Sequence, residues 1–164
     1  MTYRAPVTDI AFALKHSAGF GSALAEGLYG DLDEDVVDAV LAEAGRFASD
    51  IIAPLNMVGD RQGARFKDGI VTTPDGWKQA YRDWAAAGWN GLWAPTEWGG
   101  QGLPQAINSA CNEMWNSASL AFGIGVILTM GAVEALMAHG NEHLKKLYVP
   151  KLVSGEWTLS LIHI

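Results

Sequence analysis

Residues 119–137 read SLAFGIGVILTMGAVEALM, a tract in which Glu134 is the single charged side chain. An apolar run of this length is a helix, because only a helix satisfies its own backbone polar groups without water or a neighbouring strand. Such a helix is either packed among others or crosses a membrane. Glu134, three glycines and the lack of basic or aromatic belts at both ends favour a core helix, so no membrane span is expected. The rest of the chain must then supply the helices that cover it.

It does. Val36, Val37, Val40, Leu41, Ala44, Phe47, Ala48, Ile51 and Ile52 recur every three or four residues, which predicts a strongly amphipathic helix that Pro54 interrupts or kinks. Asp31, Asp33, Glu34 and Asp35 place acid at its N-terminus, where the macrodipole favours it. Before it, residues 8–16 suggest a short helix, followed by a glycine-interrupted second piece. Lys67-Asp68-Gly69 is a turn between two short β-prone pieces, so a hairpin is expected. Thr73 reads as the cap of a helix opening at Pro74, with Trp77, Ala80, Tyr81, Trp84 and Ala87 inward and Gly88 at its end. A Gly- and Trp-dense loop fills 90–104. Helix resumes at Pro104 with Ile107, Ala110, Cys111 and Met114 inward, and breaks near Ser117–Ser119. After the apolar helix, Asn141 caps a last helix with Leu144, Leu147, Tyr148 and Leu152 inward. The fold class is mainly α, a helical bundle with an orphan extended segment at the C-terminal end.

Composition limits the function. Hydrophobic residues at 49% and charged residues at 18% describe a globular chain, and a net charge of −7 argues against nucleic acid or an anionic membrane as the main partner. One cysteine excludes an intrachain disulfide and fits a cytoplasmic protein. The opening residues lack a basic start and apolar stretch, so no leader is expected.

Catalytic motifs are sparse. HGNEH (139–143) matches a His-x-x-Glu-His zinc pattern, but Gly140-Asn141 is a helix stop followed by a start, which puts the histidines on different helices; no metal site is expected. FGIGVI (122–127) lacks the third glycine and preceding strand of a dinucleotide site. Cys111 reads as a packed thiol. The loop APTEWGGQGLP (94–104) allows close backbone approach, either to a ligand or to its own chain.

That loop carries a family resemblance. AAAGWNGLWAPTEWGGQGLP (85–104), with Pro95, Glu97, Gly99, Gly100 and Gly102, then ACNEMWNSASLAFGIG (110–125) and AHGNEHLKKLYVPKLVSGEW (138–157), resemble the N-terminal helical domain of acyl-CoA dehydrogenases. The opening TYRAPVTDIAFAL (2–14) is similar to the extension of a subgroup that includes 3-(methylthio)propanoyl-CoA dehydrogenase-like enzymes. The resemblance implies residues 1–35 as extension, 36–157 as the helical domain and 158–164 as a truncated or non-native tail. It also implies an FAD enzyme with further middle and C-terminal domains that desaturates an acyl-CoA between its α and β carbons. A glutamate removes the α proton and the β hydrogen leaves as hydride to flavin N5. In the family that base lies in the C-terminal domain, and the flavin contacts begin in a Leu-Thr-Glu-Pro-x-Ala-Gly-Ser-Asp segment that is expected just after this chain. No catalytic, cofactor-binding or metal residue is therefore carried over. Gly123, Ile124, Ile127, Leu128 and Gly131 fall on the helix that walls the family's acyl pocket, with plain helix packing as the competing account. A homo-oligomer and an electron-transfer flavoprotein acceptor are further implied. The alternative is a stand-alone acyl-binding or assembly module without redox chemistry.

The last six residues, Leu159 to Ile164, depart from the family pattern. The codons CTG-TCT-CTT-ATA-CAC-ATC would spell them, and those bases form a transposase end used in sequencing libraries. The expectation is an adapter-derived tail on a truncated reading frame, which the coding DNA decides.

Overall fold

The computed structural model describes residues 3–159. Eight α-helices and one small hairpin follow in order: α1 (Val7–Phe12), α2 (Phe20–Ala25), α3 (Glu34–Phe47), α4 (Ala53–Gln62), β1 (Arg65–Lys67), β2 (Ile70–Thr72), α5 (Trp77–Ala86), α6 (Gln105–Ala118), α7 (Leu120–His139) and α8 (Glu142–Val153). The acidic start of α3 is a true cap: Asp33 lies in extended backbone and its Oδ1 accepts the Val36 N–H at 2.8 Å. Pro54 breaks nothing. A widened turn, Ala48–Ile52, precedes it, with the Ala53 N–H reaching back to the Ala48 carbonyl, and helical path runs on into α4. The extra residue in that turn accommodates a ring that lacks an N–H. Asp68 and Gly69 both take positive φ, which gives the two-residue hairpin turn the sequence indicated.

The helix expected from Pro74 starts instead at Trp77, with Gly76 at φ +80° before it. Asp75 is held elsewhere: its N–H donates to Gln62 Oε1 at 2.8 Å and its carboxylate accepts from Gln62 Nε2 at 2.9 Å. Those bonds tie residues 73–76 into a turn and delay the helix.

The main core lies between α3, α5, α6 and one side of α7. Trp84 and Trp115 meet edge to face at 4.2 Å, Trp89 adds a second edge on Trp115 at 5.2 Å, and Phe47 and Phe122 close on Trp84. The indole N–H of Trp115 reaches the Ala44 carbonyl at 3.2 Å, and that of Trp84 reaches Asn90 Oδ1 at 2.7 Å, so both buried rings have their donors satisfied. The first thirty residues complete this core. Ile10, Leu14 and Phe20 are buried in it, Val7 sits on Gly45, the Ala5 N–H donates to Ser49 Oγ at 3.0 Å, and Lys15 joins Asp38 at 2.8 Å and Glu34 at 3.3 Å. A second, smaller core of Ala94, Val133, Val149, Leu152 and Val153 joins α7 to α8.

Two expected inward faces are corrected. In α8 the buried residues are Val149, Leu152 and Val153, whereas Leu144, Leu147 and Tyr148 are exposed. The helix is apolar on two sides, and the side carrying Val149, Leu152 and Val153 is the buried one, while Tyr148 on the other meets the Trp157 ring at 6.0 Å. The apolar helix α7 shows the same thing more strongly: it is not wholly buried. Phe122, Gly123, Val126, Thr129 and Val133 face the bundle, while Leu120, Ile124, Ile127 and Leu128 face out. By length and composition alone α7 could cross a membrane, but its inner side is part of the protein core.

Candidate functional site

The outward side of α7 is the feature that most resembles a site. Ile124, Ile127 and Leu128 are 57%, 45% and 37% exposed, and their i, i+3, i+4 spacing places them on one face, with Gly131 continuing it at i+7. A side chain added at Gly131 would meet nothing within 4 Å, so the row has a low point there. Gly123 is different. It is buried, and a Cβ there would collide with the Asn116 side chain, so its smallness serves the packing of α6 on α7. The five sequence-derived residues therefore divide into four on the open row and one beneath it.

Grooves flank the helix. One, of about 560 Å³, lies between the hairpin, α5 and the start of α7, with Val71, Trp77, Phe122 and Val126 on its walls and Lys78 and Arg82 at its rim. The other, of about 470 Å³, lies between α7 and α8 and is walled by Ala132, Leu136, Tyr148, Leu152 and Trp157. Both are open and mainly apolar, which suits aliphatic chains or packed side chains. The turn after α8 is held firmly beside them: Tyr81 OH donates to the Gly155 carbonyl at 2.9 Å, and burial raises that hydroxyl's pKa above its ordinary value.

The glycine-rich loop is explained by its own chain. The N–H groups of Gln101, Gly102 and Leu103 donate to the carbonyls of Gly91, Ala94 and Leu92 at 2.8, 2.9 and 3.0 Å, folding 91–103 back on itself. A Cβ at Gly100 would strike the Ala94 carbonyl, so close backbone approach is the reason for that glycine. His139 ends α7 and His143 lies in the first turn of α8, as the Gly140-Asn141 break indicated. Among the described residues no three His, Cys, Asp or Glu side chains gather as metal ligands. Cys111 is buried and its thiol is pushed up to about 12 by that burial, far from a nucleophile's range.

The family profile described as "Acyl-CoA dehydrogenase, N-terminal domain" matches residues 35–156. This chain belongs to the acyl-CoA dehydrogenase family. It is 42% identical over 158 residues to the 3-methylmercaptopropionyl-CoA dehydrogenase of Ruegeria pomeroyi, covering 96% of this chain and 27% of that protein. It is 30% identical over 159 residues to a butyryl-CoA dehydrogenase of Syntrophomonas wolfei, covering 94% and 26% respectively. A broad-specificity linear acyl-CoA dehydrogenase of Mycobacterium tuberculosis matches at 32% over 113 residues, 68% of this chain and 18% of that one. The chain thus spans about a quarter of the length of the first two relatives.

Acyl-CoA dehydrogenases are FAD enzymes by family, and the described residues of this one do not fit FAD unaided. The larger groove is mainly apolar; its lining adds the hydroxyls of Thr73, Tyr81 and Thr158, and its only cations for a diphosphate are Lys78 and Arg82, both exposed at its rim. Sequence reasoning missed Thr129 in this acyl-CoA dehydrogenase domain. It is a buried hydroxyl in an otherwise apolar helix, and its polarity in such a setting was the available signal.

Proposed function

We propose that this chain is the N-terminal helical domain of an FAD-dependent acyl-CoA dehydrogenase, and that the open row on α7 forms one wall of the acyl pocket. The observation that supports this is the outward row itself, Ile124, Ile127, Leu128 and Gly131, aliphatic and small on a helix whose other side packs Phe122, Val126 and Val133 into the bundle. Gly123 contributes by letting α7 sit close on α6. When bound, FAD would accept the β hydrogen of the acyl group as hydride; the chain's own contribution is to exclude water from an aliphatic segment and fix its direction. The catalytic base, the flavin contacts and the opposite wall belong, in this reading, to middle and C-terminal domains. Homo-oligomerisation, an electron-transfer flavoprotein acceptor and a cytoplasmic location are parts of the same proposal.

The test is acyl-CoA titration of the purified chain, followed by tryptophan fluorescence, together with its visible spectrum. A one-walled pocket gives a colourless protein with no saturable binding in the micromolar range. Saturable binding without colour would establish the stand-alone acyl-binding module. A flavin band at about 450 nm would place the cofactor site within these residues.

A further inference from the structure

Threonine is a poor residue for the middle of an apolar helix, because its branched side chain loses rotamer freedom and its hydroxyl must find a partner when buried. Thr129 occupies such a position in α7 and is 3% exposed. Its Oγ1 accepts the backbone N–H of Leu159 at 3.2 Å. The residues leading to that bond are also held. Gly155 takes φ +76°, and a Cβ there would approach Ala85 and Asn90 at 2.9 Å. The Trp157 N–H donates to the Lys151 carbonyl at 3.0 Å, and Lys151 Nζ lies 4.3 Å from the Trp157 ring centroid. Thr158 borders both grooves beside α7, so the segment forms the partition between them.

We propose that Thr129 is a positioning residue, whose hydroxyl pins residues 157–159 across α7 and fixes the path along which the polypeptide leaves the bundle. Because the bond is made to a backbone N–H, it does not depend on which side chain stands at 159. Thr129 lies between Leu128 and Gly131 in sequence but on the opposite side of the helix, so one turn of α7 sets both the outward row and the departure of the chain. The segment held in this way is residues 157–159; any catalytic meaning of its position relative to the row rests on the domain reading given above, whereas the anchor itself does not.

Amide exchange of the 15N-labelled chain tests it. The Leu159 amide should exchange about fivefold more slowly than an unstructured amide, as expected for one net hydrogen bond. Thr129→Val should abolish that protection while the amides of Val126, Val133 and Trp157 keep theirs, and Thr129→Ser should retain it. Free exchange at Leu159 in the parent chain, or protection that survives Thr129→Val, would overturn the proposal. If Thr129→Val unfolds the helix, Thr129→Ser and Thr129→Ala decide instead: equal exchange at Leu159 in these two rejects the anchor, and protection in Ser alone supports it. Neither acyl-CoA nor flavin enters the sample, so a failed acyl-CoA titration and a failed anchor are separate results.

Discussion

The site reading requires α7 to have one free side, and a matched pair of substitutions measures that directly. Ile124 is 57% exposed and Val133 is 2% exposed on the same helix. Replacing either with Gln changes intrinsic helix propensity slightly and in the same direction, so propensity nearly cancels in the comparison. At Ile124 less than half the side chain is covered. Full burial of such a residue is worth about 1.5–3 kcal/mol, so Ile124→Gln should cost about 1 kcal/mol. At Val133 the whole apolar contribution is lost, and a carboxamide is left without water or a partner, adding about 1–3 kcal/mol. The longer side chain must also be forced between α7 and α8, so Val133→Gln should cost about 4 kcal/mol or more. Urea unfolding followed by far-ultraviolet circular dichroism reads both. With a slope of about 2 kcal/mol per molar for a chain of this size, the midpoints should fall by about 0.5 M and about 2 M. A shift at Ile124 equal to that at Val133 would mean the row is covered, and the acyl-wall reading would fail with it.

The aromatic core gives a second measurement: Trp115→Phe should cost about 2 kcal/mol, for its lost bond to Ala44 and a partial void, and Trp115→Ala about 4–5 kcal/mol, by the same urea assay. Ala44 keeps the Ala48 N–H as donor, so the first change leaves no orphaned carbonyl. Lys15 has its pKa raised chiefly by its hydrogen bond to Asp38. Its folded pKa lies above the unfolded one, so its contribution is present at neutral pH and is lost as pH rises through the folded value. Melting temperature should therefore fall across that alkaline window less steeply in Lys15→Met than in the parent. Cys111, buried and pushed up to about 12, should resist Ellman's reagent at pH 8 in the folded chain and release one equivalent in guanidinium.

How much of this was legible in the sequence depended on whether an element has one apolar side or two. α3 and α6 carry a single main stripe, and Val37, Leu41, Ala44, Ile107, Cys111 and Met114 are buried where the spacing put them, whereas Val36, counted in the same stripe, is 44% exposed at the edge of α3. α7 and α8 are apolar on two sides, so periodicity could not say which side the bundle uses, and the inward assignment of Leu144, Leu147 and Tyr148 was wrong for that reason. The start of α5 depended on a long-range tie between Gln62 and Asp75 that no local pattern announces. Ile124, Ile127, Leu128 and Gly131 could be found only through family resemblance, because nothing in their own composition distinguishes a pocket wall from a core. The extended segment expected over 158–164 is described only as far as Leu159; residues 160–164 lie outside the described residues.

The magnitude of the open row says what sort of cover it suits. Completing the burial of Leu120, Ile124, Ile127 and Leu128 from their present exposure would yield about 1 kcal/mol each, or about 4–5 kcal/mol together. A separate molecule loses roughly 4–15 kcal/mol of translational and rotational freedom on binding, so the row alone holds a free partner weakly or not at all. A segment of the same polypeptide escapes most of that loss, because tethering supplies an effective concentration of order millimolar. An aliphatic ligand gains about 0.8 kcal/mol for each methylene it buries, but only when both sides of the chain are dry. The row is therefore suited to a ligand sandwiched between α7 and a covalently linked second wall. In the domain reading proposed above, that second wall is a further part of the same polypeptide, and the row at Ile124–Gly131 is the face this chain brings to it.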